Sequence, residues 1–217
     1  MKNKILAVIL TGTLLTAVAM TGCGSTASDT APGAVTPLYP MTSAEDALAD
    51  GGYSVSFTAD DLVKTDTGYE LTVEVYDYDR YEMEDIDNLA KGSKIQFCNE
   101  EITVDEVEKD ADTGYVTING GIENGGIELT VEDGMYRTET MDDYPNYYSV
   151  GKVTIPLSED VTFEDQAGSE SGENSTVVEL DELPDAIADS ELAFNCNSTE
   201  IMVRQEQIVQ IIRYWVP

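Results

Sequence analysis

In the stretch Tyr69-Glu70-Leu71-Thr72-Val73-Glu74-Val75, apolar and polar residues alternate without a break. A strand turns successive side chains to opposite faces, so this period puts Leu71, Val73 and Val75 on one buried face. The same period recurs in Ile95 and Phe97, in Ile102 and Val104, and in Val116 and Ile118. It returns in Ile127, Leu129 and Val131, and in Val153, Ile155 and Leu157. The last two apolar runs, Ile201-Met202-Val203 and Ile208 to Trp215, flank Arg204-Gln205-Glu206-Gln207 and read as a closing hairpin. A short helix over Ile208 to Ile212 is the alternative reading.

Turn residues separate these runs at short spacing, at Thr67-Gly68, Lys91-Gly92, Asn119-Gly120-Gly121 and Asn124-Gly125-Gly126. Short strands joined in sequence by such turns predict a mainly β fold, an antiparallel barrel or sandwich, with an OB or SH3-like barrel among the forms expected. Helix is confined to one to three short pieces. Ser43 opens one over Ala44 to Ala49, with Asp46 three residues on completing a capping box. The others are Met83 to Ala90 and a segment from Pro184 to Leu192, where proline suits a first helical position. Residues 43–217 are long enough for one acidic, β-rich domain with a real core.

Ahead of that domain, Lys2 and Lys4 precede an apolar run from Ile5 to Met20, followed by Thr21-Gly22-Cys23. A basic start, a short apolar stretch and small residues at its exit make residues 1–22 an export signal and leave them too short for a membrane span. Met20-Thr21-Gly22-Cys23 resembles the lipobox of bacterial lipoproteins, with Met20 where leucine is usual. The resemblance implies cleavage before Cys23 and a diacylglyceryl group on its thiol, with acyl chains of the palmitate class. Two chains suffice for stable anchoring, so the expected location is the outer face of the bacterial cell membrane. Residues 23–42, rich in small polar residues and proline, read as a disordered tether.

The chain carries 43 acidic and 11 basic residues, for a net charge of −32. Loss of Lys2 and Lys4 with the signal takes the mature chain to about −34. Such a charge argues against nucleic acid and against anionic lipid headgroups, and it is compatible with cationic partners or divalent ions. The sequence contains no histidine. That removes Ser-His-Asp and Cys-His catalysis and His-containing zinc sites. Residues 120 to 126 are rich in glycine but lack the Lys-Ser/Thr ending of a phosphate loop, so they read as a turn. No catalytic motif is present, and an enzyme is not expected.

Carboxylates remain as candidate chemistry. A pair of them hydrolyses glycosides when one is held protonated and the other ionised, but 43 candidates make any pair unspecific. The densest cluster is Asp77, Asp79, Glu82, Glu84, Asp85 and Asp87. Its first four members are the candidate ligands for Ca²⁺, which wants six to eight oxygens. Its plainer reading is a solvated acidic loop. Tyrosines interleave with the acids at Tyr76, Tyr78 and Tyr81, and again at Tyr136, Tyr144, Tyr147 and Tyr148. Tyr144, Tyr147 and Tyr148 form a candidate binding face for a glycan or a cationic protein or peptide. Cys98 and Cys196, the thiols left once Cys23 is lipidated, are candidates for one disulfide in an exported domain.

The Lys91-Gly92-Ser93-Lys94-Ile95 turn into a strand and the Ile118-Asn119-Gly120-Gly121 hairpin are similar to those of uncharacterised exported proteins of Gram-positive gut bacteria. The expectation is a membrane-anchored extracytoplasmic lipoprotein acting as a binding or envelope-structural module. A calcium-binding surface module and a carboxylate-dependent hydrolase are the alternatives.

Overall fold

The alternating segment is the spine of a closed barrel in the computed structural model, which describes residues 33–168 and 175–216. The export signal, Cys23 and residues 23–32 of the expected tether lie outside the described residues.

The order of elements is β1 (Gly51–Ser56), β2 (Leu62–Thr65), β3 (Gly68–Asp77), β4 (Arg80–Glu82), α1 (Met83–Asp87), β5 (Lys94–Phe97) and β6 (Glu100–Thr103). There follow β7 (Val107–Lys109), β8 (Val116–Ile118), β9 (Ile127–Glu132), β10 (Met135–Thr138) and β11 (Tyr148–Asp165). The chain ends with β12 (Thr176–Glu179), α2 (Leu183–Ala188), β13 (Thr199–Arg204) and β14 (Gln207–Arg213).

Five of these strands close a ring. β1 pairs antiparallel with β3, β3 with β11, β13 with β14 and β1 with β13, while β11 and β14 run parallel. The third and fifth barrel strands are thus neighbours and parallel, with a helix between the third and fourth. This is OB-type connectivity. The 18-residue β11 makes closure possible. Its first half pairs with β3 from Tyr148 opposite Asp77 to Pro156 opposite Glu70. Its register then shifts between Leu157 and Thr162, and its second half lies between β14 and β12. Such a shift bends a strand, so one segment serves two sides of the ring. Gly151, at φ +122°, sits at an earlier shift, in a backbone region that side chains avoid.

The barrel core follows the predicted parity. Leu71, Val73, Val75, Val55, Ile155, Ile201, Val203, Ile208 and Ile211 are buried within it. Ala44 and Ala47 of the Ala44–Leu48 3₁₀ turn, and Leu183 and Ile187 of α2, pack on the same core. The residues from Ile208 onward form a strand to Arg213, resolving the helix alternative. α1 and α2 are shorter than predicted, ending at Asp87 and Ala188.

Between β3 and β11 the chain builds a second core of its own. β4, β10, β9, β8 and β7 form a sheet in that order, accompanied by the β5–β6 hairpin. Tyr81, Ile86, Ile95, Val116, Ile118, Ile127 and Leu129 are buried against one another here. Val131, expected on the same face, is 41% exposed.

Residues 33–42, predicted as the end of a disordered tether, carry defined contacts instead. Val35 donates its amide to Lys94 O and accepts from the Gln96 amide, Leu38 donates to Arg80 O, and Met41 donates to Asp77 Oδ2. Val35 packs on the inserted core and Met41 on the barrel core. Spaced singly among prolines and small residues, these apolar side chains carry no periodicity to betray that partners await them.

Candidate functional site

The alternation that starts at Leu71 does not stop with β3. Residues 71, 73, 75, 77, 79 and 81 are all buried, so Asp77 and Asp79 occupy the same parity as the core valines. They are 4% and 2% exposed. A buried carboxylate requires hydrogen-bond donors, and both have them. Asp77 accepts from the Met41 amide at 2.7 Å and the Tyr78 amide at 2.9 Å, and pairs with Arg80 Nη2 at 3.1 Å. Asp79 accepts from the Cys98 amide at 2.6 Å and from the Tyr148 hydroxyl at 3.2 Å. Tyr81 gives its hydroxyl proton to Gln96 O at 2.6 Å and lies 3.4 Å from Asp79. Burial pushes the Asp79 carboxyl above the usual range, against the opposing pull of the Cys98 amide and Tyr148.

For Asp77 and Asp79 this arrangement corrects the reading of the acidic cluster as a solvated loop. Its first two members are structural acceptors at the junction of barrel and insertion. Glu82 and Glu84 are exposed on and beside α1. Among the described residues, no three His, Cys, Asp or Glu side chains gather as a metal-holding group.

The two cysteines are likewise not bonded to each other. Cys98 forms the tight β5–β6 turn with Asn99, at φ +48° and +66°. Its thiol accepts from Asn146 Nδ2 at 3.9 Å, whereas the Cys196 thiol donates to Asn197 Oδ1 on the barrel side. Burial, helped by the neighbouring Asp79 charge, pushes the Cys98 thiol up to about 11.

Above Asp77 the outer wall of the barrel opens into a cleft of about 460 Å³. Tyr39, Tyr53, Tyr76, Tyr78 and Tyr147 line it, with Arg80 and Glu200 among them. Tyr78 and Tyr147 meet edge to face, with centroids 5.4 Å apart. The Arg80 guanidinium lies 4.7 Å from the centre of the Tyr78 ring, and its Nε is buried without an acceptor among the described residues. Tyr147 is held by Ser54 Oγ at 3.0 Å, and Tyr76 meets Ser56 Oγ at 3.1 Å. Tyr39 stands 88% exposed at the rim. Gly52 leaves the space Glu200 uses, since a Cβ there would fall 2.1 Å from Glu200 Oε1.

Of the predicted face, only Tyr147 lines this cleft. Tyr148 turns its hydroxyl to buried Asp79, and Tyr144 belongs to the loop that folds back on Thr140. Tyr39 and Tyr53 were missed because nothing in their local sequence marks them. The parity of Asp77 with the core was legible, and would have shown that the tyrosines on the opposite parity, Tyr76 and Tyr78, face outward.

The cleft offers aromatic faces and edges, hydroxyls that donate and accept, one guanidinium and the half-buried Glu200 carboxylate. The Asp77 oxygens accept from two amides and pair with Arg80, and Glu200 Oε2 accepts from the Tyr214 hydroxyl. No protein-family model, no curated protein and no solved structure matches the chain.

Proposed function

We propose that the chain is a membrane-anchored extracytoplasmic lipoprotein whose barrel binds a glycan in the tyrosine cleft. The observation that carries this reading is the gathering of five tyrosines around Arg80 and Glu200 in one cleft of about 460 Å³. Sugars present apolar ring faces that stack on aromatics and hydroxyls that both donate and accept. A site with rings, a guanidinium and a carboxylate answers each of these. A cationic peptide fits less well here, because Arg80 would oppose it. The anchor rests on Lys2, Lys4, the apolar run and the lipobox-like Met20 to Cys23.

A glycan array probed with the full chain in detergent tests the binding half. Tyr39→Ala and Tyr78→Ala should each weaken a positive glycan by roughly tenfold, about 1.4 kcal/mol. Absence of any glycan hit, or affinity unmoved by both changes, would overturn it. For the anchor, Cys23→Ala should shift the protein from the detergent phase to the aqueous phase and remove the lipid mass. Continued partitioning at unchanged mass would count against lipidation.

A further inference from the structure

A second cleft, of about 450 Å³, opens on the insertion and is separate from the tyrosine site. Phe97, Ile122 and Met141 supply apolar walls, and Glu128, Glu139 and Asp142 supply carboxylates. Met141 is 66% exposed at the rim, while Glu139 is only 6% exposed.

Glu139 is the unusual group. Its Oε2 is buried and has no hydrogen-bond partner among the described residues. Its other oxygen has only a long contact, 3.5 Å to Arg137 Nη2, and Arg137 also pairs with Glu132 at 3.1 Å. Tyr115 stands nearby, but a hydroxyl has one proton to give and Tyr115 gives it to Glu128 Oε2 at 2.9 Å. An orphaned buried carboxylate oxygen is costly and calls for a donor. Burial raises the Glu139 carboxyl above its usual value, as expected of a charge short of partners.

We infer that this cleft binds an alkylammonium group, such as a lysine side chain of a partner peptide, with the ammonium donating to Glu139 and Glu128 and the alkyl stem lying along Phe97, Ile122 and Met141. The sign of the charge follows from the surroundings. Three carboxylates and no basic side chain line the cleft among the described residues, and the Arg137 guanidinium beside Glu139 is already shared with Glu132. An ammonium offers three donors on a compact charge, enough to serve both glutamates. A metal ion is disfavoured, because hard cations need six or more oxygens and no three ligating side chains converge among the described residues. The apolar walls select a cation with a hydrocarbon stem, and methionine at the rim is suited to packing on flexible aliphatic chains.

The test uses the full chain in detergent, with methyl-labelled methionine and isoleucine, titrated with n-butylammonium and, separately, with n-butanol and NaCl. The expected result is saturable shifts at Met141 and Ile122 with n-butylammonium alone, weakened at least tenfold by Glu139→Gln. Met141→Ala, a change at an exposed side chain, should bring the affinity for n-butylammonium toward that for methylammonium without altering the fold. Equal shifts with n-butanol would mean an apolar cleft without charge recognition. Equal shifts with NaCl would mean screening only. Either result would overturn the inference, as would indifference to Glu139→Gln in a folded variant or, should that variant misfold, an unchanged n-butylammonium preference in Met141→Ala.

Discussion

At the scale of the residue, Asp79 joins the two cores. It receives the Cys98 amide from one hairpin and the Tyr148 hydroxyl from the start of β11. Asp79→Ala would leave both donors without their acceptor, and each unsatisfied buried group costs about 1–3 kcal/mol. A loss of about 3 kcal/mol is expected in urea denaturation, and a loss below about 0.5 kcal/mol would show that the hub is dispensable. Asp79→Asn separates geometry from charge. Because the folded carboxyl titrates above its unfolded value of 3.8, its contribution is fully present below that value and is lost as pH rises through the folded pKa. Asp61, held low by the Thr58 hydroxyl and amide, acts in the opposite sense, stabilising above 3.8 and losing that as pH falls. The wild type should therefore lose stability relative to Asp79→Asn as pH is raised from about 3.5 to 7. A difference independent of pH would refute the assignment. The Cys98 thiol, pushed up to about 11, should alkylate at neutral pH on the order of a hundredfold more slowly than a free cysteine, as mass spectrometry of the labelled chain will read.

At the scale of the element, the β13–β14 hairpin closes the ring through a two-residue turn made by Gln205 and Glu206. Both are left-handed, at φ +52° and +61°, and neither is glycine or asparagine. Turns of this hand match the twist of the flanking strands but disfavour ordinary side chains. Replacing Gln205 by Asn and Glu206 by Gly keeps the Gln205 amide bond to Asp50 Oδ1, which is backbone-borne. A gain of about 1 kcal/mol is expected from the urea midpoint, and no gain would show that the present side chains compensate for their strain. The helices obey a simpler logic. α2 starts at Leu183, one residue ahead of Pro184, and stops at Ala188, short of the predicted Leu192, because Leu192 O and Ser190 Oγ accept from Arg213.

At the scale of the whole molecule, a charge of −32 presses outward on two modest cores. Salt should relieve that repulsion, and raising NaCl from about 0.02 to 0.3 M should lift Tm by roughly 2–4 °C, equally for KCl. A flat or falling Tm would mean that local pairs, not self-repulsion, dominate. Ca²⁺ at matched ionic strength should do no more than Na⁺, since Asp77 and Asp79 are committed to protein donors. A calcium-specific gain lost in Asp77→Asn would reinstate the acidic cluster as a metal site.

The period of two along Leu71, Val73 and Val75 determined by itself that the domain is a β structure and which residues of β3 face its core, because side-chain direction in a strand depends only on parity. The capped turn at Ser43 was equally local, written in adjacent residues, whereas the closing hairpin kept a short helix as its alternative until strand pairing decided it. What lies far apart in sequence could be decided only by the tertiary structure. It brought Tyr39, Tyr53 and Tyr147 to one cleft, buried Asp77 and Asp79 against donors from four separate segments, left Cys98 and Cys196 unbonded, and split the core in two. Each of those outcomes depends on strand pairing across tens of residues, and in a chain this acidic no charge pattern distinguishes the few carboxylates that are buried from the many that are solvated.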